Sequence, residues 1–502
     1  MEREVWLLCA TLAVSLLYYL TGLGRRHGPG RRLPPGPKPL PILGNALELR
    51  HGNLHHTLAR LARVHGPVMR LELGPATTAV VLSSRDAARE AFTKHDRRLA
   101  ARYRPDAVGA LGWGDRSIIY LPSSDPLWKT LRGILATHVA SPRSLAAARG
   151  VRERKVRDLV GHFRRRAGRE VDVGRSLYGG MINLISAAFF SVDVVDLDAT
   201  ESAHGIREHV VGLAELMTKP NVSDLFPFLR ALDLQGRRRT MAGHLGRIFD
   251  IMDGIIDRRL AEQAAAGDKH DDFLQVLLNL MSAGQIDRDV VKVIMFELFI
   301  TGTDTVTITL EWAMAELLRN RSAMAKARAE IDGALGGKEA VEEHDAASLP
   351  YLQAVVKEAM RLHPVGPVLV PHQAVEDGVE VGGYEVPRGS TVFINVWAIM
   401  RDPAAWEKPD EFSPERFLAG AAAEVDYRGK DFEYLPFGSG RRQCPGMPVA
   451  ERVVPHLLAA LLHAFEWRLP DGVSAEQLDI SEGFTTGNVL AVPLKVVPIV
   501  KS

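Results

Sequence analysis

Cysteine is nearly absent from this chain of 502 residues, which holds only Cys9 and Cys444. So few thiols are typical of a reducing compartment, and Cys9 lies in an apolar N-terminal run, so a structural disulfide is not expected. The chain also lacks an excess of either charge, because 62 lysines and arginines face 61 aspartates and glutamates. A nearly neutral chain gives no electrostatic reason to bind a polyanion, and we expect no nucleic-acid partner.

A second long apolar run is absent as well. The single run, residues 5–23, carries no charged side chain, and as a helix it would span roughly 28 Å, close to the hydrocarbon thickness of a bilayer. Five basic residues follow it within the hinge region, namely Arg25, Arg26, Arg31, Arg32 and Lys38. This asymmetry favours a cytosolic position for the rest of the chain. A cleaved signal peptide is disfavoured because the preceding residues are not basic, so residues 1–24 are predicted to be a transmembrane helix and membrane anchor.

The remainder of the chain is predicted to be one domain behind a stiff hinge. Five prolines among residues 33–45 exclude a helix there, so residues 25–45 are predicted to form a basic, proline-rich hinge and residues 46–502 a single domain. Apolar residues recur at helical spacing in 54–64, 126–139, 151–165, 241–266, 271–281, 287–318, 322–335, 349–362 and 449–465. Strand-like runs are short, at 68–73, 78–82, 379–381, 391–395 and 489–497. The predicted fold class is mainly α with a small β-sheet portion.

The second cysteine lies in a glycine-rich loop, residues 437–446, with the sequence FGSGRRQCPG. The glycines allow the backbone to approach a flat ligand, Arg442 can meet an anionic group, and the following helix favours a thiolate at Cys444. A zinc site is disfavoured because no second cysteine or histidine stands nearby. A phosphate loop is disfavoured because no lysine with Ser or Thr follows the glycines. A buried core cysteine is the alternative without chemistry.

This loop resembles the haem-binding signature of the haem-thiolate monooxygenases, the cytochromes P450, at Phe437, Gly440, Arg442, Cys444 and Gly446. The resemblance implies the cytochrome P450 fold and a bound haem b. It implies that Cys444 is the axial thiolate ligand of the haem iron, which favours cleavage of the O–O bond. Phe437 would then pack beside the sulfur.

The apolar helical segment 287–318 contains an acid next to an alcohol, Asp304 and Thr305. Such a pair within a buried helix is costly unless it has partners or a function. By resemblance this is the oxygen-activating helix, where Thr305 faces the oxygen-binding side of the haem and Asp304 connects to a proton relay. The sequence departs from the common family pattern at Thr301, where alanine is usual, and at Val306, where a second threonine is frequent.

Two further sets of residues are assigned by the same resemblance. Trp128, Arg132, His372 and Arg442 would donate hydrogen bonds to the two haem propionates. Glu358 and Arg361, in the segment KEAMRLHP, and Arg416, in PERF, would form a structural network behind the haem. The other Glu-x-x-Arg matches, Glu316/Arg319 and Glu385/Arg388, are interpreted as incidental.

The segments 219–227 and 233–239 resemble a narrower group of plant microsomal enzymes, which includes geraniol hydroxylases and cereal diterpene hydroxylases. This resemblance implies NADPH- and O2-dependent hydroxylation of a diterpene in plant defence (phytoalexin) metabolism, with a monoterpene alcohol such as geraniol as the alternative substrate. It places the enzyme in the endoplasmic reticulum membrane as a single-pass protein. The pocket would be lined by residues 108–121, 299–301, 365–369 and 485–489.

No flavin or nicotinamide fingerprint is visible, so electrons must come from outside. The implied partners are NADPH-cytochrome P450 reductase, with cytochrome b5 as a further donor, membrane lipid and a hydrophobic small-molecule substrate. Two other classes remain open. A haem-thiolate isomerase or dehydratase would need no reductase and no proton relay, and a non-catalytic haem protein would need neither the acid–alcohol pair nor a substrate pocket.

Overall fold

Helices dominate the computed structural model, which describes residues 32–49, 52–74, 77–198, 202–219, 221–267 and 270–501. The predicted membrane anchor and the first part of the predicted hinge lie outside these ranges. The described part of the hinge lies along the sheet that it precedes. The amide of Arg70 donates to the Pro35 carbonyl at 2.7 Å, and the amide of Asn45 donates to the Glu72 carbonyl at 2.6 Å.

The helices and strands follow one another along the chain in an irregular order. The described helices are α1 (Leu54–His65), α2 (Arg85–Lys94), α3 (Asp96–Leu99), α4 (Pro126–His138), α5 (Pro142–Ala147), α6 (Arg149–Arg164), α7 (Val173–Phe190), α8 (Ser202–Thr218), α9 (Val222–Leu225), α10 (Arg237–Ala266), α11 (Phe273–Ser282), α12 (Arg288–Arg319), α13 (Arg321–Leu335), α14 (Glu343–Ala347), α15 (Pro350–Leu362), α16 (Val396–Ile399) and α17 (Met447–Ala464). The described strands are β1 (Val68–Leu73), β2 (Thr77–Leu82), β3 (Ala101–Arg102), β4 (Val171–Asp172), β5 (His372–Gln373), β6 (Val379–Val381), β7 (Tyr384–Val386), β8 (Thr391–Ile394), β9 (Phe465–Arg468), β10 (Glu482–Phe484), β11 (Asn488–Leu490) and β12 (Lys495–Val500).

The strands form small sheets at the edge of the helical body. The largest has the order β1-β2-β8-β5-β3, and its β2–β8 pair is parallel while its other pairs are antiparallel. The others are β4-β12-β9 and the hairpins β6-β7 and β10-β11. The short pairing of β3 with β5 sets Arg102 opposite His372. The sheet therefore brings together two residues that are 270 positions apart in the chain.

Helix α12 runs through the core of the helical body. Its first turn is capped by the Asp287 side chain, which accepts from the Val290 amide at 2.7 Å. The helix packs on α7 and α17. It is the one described helix that is long and apolar enough to cross a membrane, but 72% of its most apolar window is buried inside the protein. That burial is typical of the core helix of a globular domain.

The structure confirms the predicted mainly helical class with small sheets, and it corrects several of the predicted elements. Helices α2 and α8 and several short helices and strands lie outside the predicted segments. Helix α7 was not predicted, because nearly all of its residues are buried and so its sequence shows no one-sided apolar pattern. The predicted strand 489–497 is in fact the end of β11 and the start of β12. Pro493, which lacks an amide hydrogen, lies between them.

A buried charge network joins α15 to residues 400–416. Arg361 forms a two-pronged pair with Glu358, with Nε–Oε2 at 2.7 Å and Nη2–Oε1 at 3.0 Å, and both side chains are fully buried. Arg416 adds a third contact, Nε to Glu358 Oε1 at 3.0 Å. Arg361 also donates to the carbonyls of Met400 and Pro409. The three residues that the sequence analysis grouped are thus in contact. The side chains of Glu358 and Arg361 are both shielded from water.

The Arg361→Ala variant should lose much of the stability of the fold. Removal of one partner leaves the Glu358 carboxylate buried with a single cation, a change that costs about 3–5 kcal/mol. Thermal unfolding and the yield of haem-loaded protein would measure this loss. The control is Arg388→Ala, which removes an exposed arginine from one of the incidental Glu-x-x-Arg matches. Equal unfolding temperatures for Arg361→Ala and the control would contradict the structural role.

Candidate active site

The cysteine loop is held in place by its own backbone. The Cys444 amide donates to the Phe437 carbonyl at 3.0 Å. Helix α17 begins three residues after Cys444, so its amides point toward the sulfur. Burial raises the pKa of the Cys444 thiol, while hydrogen bonds from the Gly446 and Met447 amides and the charge of Arg132 lower it. The thiol is nonetheless accessible, so it borders an internal cavity.

The glycines of the loop serve different neighbours. Gly440 has a positive φ of +65°, and an added Cβ there would lie 2.2 Å from Asp96 Oδ1. That carboxylate accepts from the Arg441 amide at 3.1 Å. Gly440 therefore makes room for α3 rather than for a ligand. Gly446 lies closer to the predicted site, since its Cβ would stand 3.8 Å from the Cys444 sulfur.

Three of the predicted cofactor-binding residues meet beside the loop. Arg132 donates to the Gln443 carbonyl at 3.0 Å. The Trp128 ring lies under two guanidinium groups, that of Arg442 at 4.9 Å and that of Arg132 at 5.8 Å from its centroid. The Trp128 indole donates to the Ile118 carbonyl at 3.1 Å, and Arg442 donates to the same carbonyl at 3.2 Å. The side chains are thus fixed by backbone carbonyls.

His372 and Arg102 complete this cluster from the sheet. His372 is buried, with Nδ1 2.9 Å from the Leu99 carbonyl, and burial together with the charges of Arg102 and Arg442 holds its pKa well below the usual value. Arg102 was missed by the sequence analysis, because only the β3–β5 pairing brings it here. Burial and the charge of Arg442 lower the pKa of Arg102 to about 9. Its buried Nε has no hydrogen-bond partner.

These residues fit a flat, doubly anionic cofactor with a metal at its centre. Within the described residues, no carboxylate lies at ion-pair distance from Arg102, Arg132 or Arg442. Burial, and after it the repulsion between neighbouring arginines, lowers the pKa values of Arg102 and Arg442. Two carboxylates would compensate these charges. Because Cys444 lies beside them with an accessible sulfur, the set of donors suits a haem and its axial thiolate.

Helix α12 carries a row of threonines. Thr301, Thr305 and Thr309 each donate their hydroxyl to the carbonyl four residues earlier, at 2.6, 2.6 and 2.8 Å. Thr301 and Thr305 are exposed although most of the helix around them is buried. They therefore border a cavity within the helical body. Since the hydroxyls are engaged by the helix, a bound molecule meets their methyl groups as well.

Asp304 lies on a different side of the helix from Thr305. It is buried and one of its oxygens lacks a hydrogen-bond partner. Burial raises the pKa of Asp304 to about 6, while the Thr486 hydroxyl and the charge of Arg207 oppose this rise. Arg207, from α8, lies 5.3 Å from the Tyr178 ring centroid. The predicted acid–alcohol pair is therefore present in sequence, but its acid faces α7, α8 and the turn of the β10–β11 hairpin, while Thr305 faces a different side.

A second acid of α12 was missed by the sequence analysis. The buried Glu297 carboxylate accepts from the Trp113 indole at 2.9 Å, from the Ile118 amide at 3.0 Å and from the Ser117 hydroxyl. Its own carbonyl accepts from Thr301. Burial raises the pKa of Glu297 to about 7 despite these donors. Glu297 therefore ties the predicted pocket segment 108–121 to α12.

Comparison with known proteins identifies the family. A sequence model of the cytochrome P450 family matches residues 34–492. Three similar proteins come from Oryza sativa subsp. japonica: Cytochrome P450 76M5 at 66% identity, Oryzalexin E synthase at 59% and Ent-cassadiene C11-alpha-hydroxylase 1 at 59%. The alignments cover 99% of this chain and 98–99% of each relative. The fold and the cysteine loop define a haem-thiolate protein. The chain belongs to the cytochrome P450 family.

Membership in this family implies haem iron as the cofactor and monooxygenation as the class of reaction. This agrees with the accessible Cys444 and the uncompensated arginines beside it. A zinc site or a phosphate loop at Cys444 has no such support. The sequence interpretation of the class of enzyme is thus confirmed.

The Arg102→Gln variant should release haem more readily. The loss of one charge-assisted hydrogen bond to a haem carboxylate corresponds to a rate of haem transfer to an acceptor protein faster by about ten- to a hundredfold. The haem-free protein should instead become more stable, because one of the mutually repelling arginines is gone. The control is Arg104→Gln, since Arg104 pairs with Asp115 at the surface. Unchanged haem release with Arg102→Gln would contradict this role.

The Glu297→Gln variant should be destabilised more strongly at low pH than at high pH. The folded pKa of Glu297, about 7, lies above its ordinary value of 4.5, so its contribution to stability is lost as pH rises from 4.5 through 7. Between pH 5.5 and 8 this titration changes the free energy of unfolding by roughly 2 kcal/mol. Unfolding temperatures of both proteins at pH 5.5 and 8 would measure it. A difference between them that does not change with pH would contradict the buried titration.

Proposed function

We propose that this chain is an NADPH- and O2-dependent monooxygenase that hydroxylates a diterpene in plant defence metabolism. The observation that carries the proposal is the similarity, at 59% identity over 99% of the chain, to rice proteins named as an oryzalexin synthase and an ent-cassadiene hydroxylase. Ent-cassadiene is a diterpene hydrocarbon. A monoterpene alcohol remains the alternative substrate, since the sequence resemblance also covers geraniol hydroxylases.

The residues around the cysteine loop are assigned to the cofactor. Cys444 binds the haem iron, Phe437 packs beside the sulfur, and Gly440 and Gly446 shape the loop. Trp128, Arg132, His372 and Arg442 donate to the propionates, and Arg102 joins them. The contacts that support this assignment are the convergence of the guanidinium groups on Trp128 and the β3–β5 pairing. When bound, the haem supplies the activation of dioxygen.

Asp304 and Thr305 are assigned to proton delivery. Thr305 borders the cavity with its hydroxyl held by the Thr301 carbonyl. Asp304, with a pKa of about 6, can hold and release a proton near neutral pH. Arg207 lies close enough to bias its charge and is half-buried, so it connects Asp304 toward the solvent side of α8. A proton would pass from there through Asp304 to the side of the helix that carries Thr305.

The apolar wall of the cavity suits a hydrocarbon. Ile118, Ile119, Ile300, Val365 and Val489 are only partly buried although they pack against the main core. Each belongs to or adjoins a segment that the sequence analysis assigned to the pocket. The near absence of charge among them favours burial of an apolar substrate over a polar one. Glu297, which is engaged by its three donors, adds no free charge to this wall.

Electrons and location are assigned by the family type. NADPH-cytochrome P450 reductase is the proposed electron donor, with cytochrome b5 as a further one, and it docks on the Cys444 side of the domain. Residues 1–24 are proposed to anchor the protein in the endoplasmic reticulum membrane, with the catalytic domain in the cytosol. The apolar run and the basic residues after it support this orientation.

Membranes that contain the protein and a plant reductase should convert labdane-related diterpenes with NADPH and oxygen into products heavier by one oxygen atom. Mass spectrometry measures the products, and geraniol is offered in a separate reaction. No diterpene product should form without NADPH. Product from geraniol alone would favour the alternative substrate, and no product from either would contradict the terpenoid function.

The matched controls in that assay are Cys444→Ala and Asp304→Asn. Cys444→Ala should abolish the product, because the thiolate is absent. Asp304→Asn should consume NADPH while forming less product, because the amide cannot pass a proton. Asp289→Asn changes an exposed acid of the same helix and should behave like the wild type. Product formation by Cys444→Ala at the wild-type rate would contradict the monooxygenase mechanism.

A further inference from the structure

Three segments that border the predicted pocket meet at one buried histidine, His363. Its ring stacks on Trp312 of α12, with 3.7 Å between the ring centroids and 4° between the planes. Its Nε2 lies 2.7 Å from Glu316 Oε1, also on α12. Its Nδ1 lies 3.6 Å from Oε1 of Glu482, the first residue of β10. His363 itself stands two residues before Val365, a predicted pocket residue.

Glu482 is held by donors on both of its oxygens. Oε2 lies 2.9 Å from His55 Nε2 and 2.7 Å from His56 Nε2. Oε1 accepts from Asn488 at 2.9 Å and from the Trp397 indole at 3.3 Å. Burial alone would raise the pKa of Glu482, but the neighbouring rings of His363, His55 and His56 hold it far below its usual range. Glu482 is thus an anchored carboxylate.

The hairpin that begins at Glu482 packs tightly against the predicted pocket walls. An added Cβ at Gly487 would lie 2.8 Å from the Val365 carbonyl oxygen and 3.1 Å from Ile308 Cδ1. The Asn488 amide donates to the Val365 carbonyl at 2.9 Å, and the Trp312 indole donates to the Asn488 carbonyl at 2.7 Å. The turn 485–487 therefore has no room to shift unless these walls move with it.

The same cluster offers possible metal ligands, since single ligand atoms of His55, His56 and Glu482 lie within 4.8 Å of one another. The remaining groups favour an anchor instead. The Glu482 oxygens already accept several hydrogen bonds, and the Arg401 guanidinium lies 3.9 Å from Oε1. The two histidines also lie in the first turn of α1, where the helix dipole disfavours a cation.

We propose that Glu482 and His363 are positioning residues of the substrate pocket. They fix the turn 485–487, the segment that begins at Val365 and helix α12 at set distances, and so determine how a bulky ligand lies over the cofactor. The proposal rests on the proposed function for the identity of the substrate. This joint, meaning the contacts of Glu482 and His363 with these three segments, follows from the structure of this chain alone.

Replacement of Glu482 by glutamine tests this joint. An amide keeps one acceptor oxygen but turns an NH2 group toward ring nitrogens or the indole, so at least one buried donor loses its partner. The hairpin should then relax while the cysteine loop stays in place. Glu476→Gln is the matched control, because Glu476 is exposed and lies six residues earlier.

The measurement is spectral titration of the haem-loaded full-length protein with imidazole and with a bulky azole of the clotrimazole type. Imidazole reports access to the iron, and the bulky azole also reports the shape of the pocket. With Glu482→Gln the dissociation constant of the bulky azole should rise about tenfold, which corresponds to a loss of about 1.4 kcal/mol. The dissociation constant of imidazole should stay unchanged. Hydrogen exchange of the amides in 482–490 should become faster.

His56→Ala provides the milder second variant, because it removes one donor from a half-exposed ring. It should shift the ratio of the two dissociation constants in the same direction by a smaller factor. If Glu482→Gln fails to bind haem, His56→Ala decides. An unchanged ratio and unchanged hairpin exchange would overturn the proposal, as would equal losses for both ligands, which indicate a general loss of folded structure.

The azole titration separates this proposal from the proposed function. If the wild type converts no diterpene, the function fails while the azole ratios still report on the joint. If diterpenes are converted, the Glu482→Gln enzyme should give a changed ratio of hydroxylated isomers per unit of haem. An isomer ratio identical to that of the wild type would overturn the specificity role of the joint.

Discussion

Buried positive charge beside the cysteine loop is the constraint on which the rest of the site depends. Arg102, Arg132 and Arg442 come from a strand, a helix and the loop itself, and no described carboxylate lies at ion-pair distance from them. Backbone carbonyls hold the guanidinium groups but cannot neutralise them. The fold therefore carries an electrostatic cost that a dianionic cofactor offsets, so cofactor binding and stability are coupled.

Three buried glutamates have different sets of neighbours. Glu358 meets two arginines and becomes part of a rigid joint. Glu297 meets only neutral donors, and burial raises the pKa of its carboxyl despite them. Glu482 meets several rings at the base of a hairpin and stays ionised. The same residue type thus stabilises the fold, holds a loop or anchors a pocket wall, and the set of neighbouring donors decides which.

The parts of the site that are contiguous in sequence were predictable. The cysteine loop and the pair Glu358/Arg361 each carry their chemistry within a few residues. Arg102 could not be found, because its role arises from pairing with His372 across most of the chain. The sequence motif also did not show that Asp304 and Thr305 face different neighbours, because adjacent helix residues point about 100° apart. Helix α7 was missed because uniform burial removes the periodicity that predicts a helix.

The β3–β5 pairing has a consequence for the order in which the protein is made. The groups proposed to bind the cofactor carboxylates come from residues 102, 132, 372 and 442, so the N-terminal half of the chain leaves the ribosome long before the site can close. Closing so long a loop is entropically unfavourable until most of the intervening chain is folded. A ribosome-bound chain that ends before His372 therefore lacks His372, Arg442 and Cys444. Under the proposed assignment, haem capture is then a late event in the synthesis of this protein.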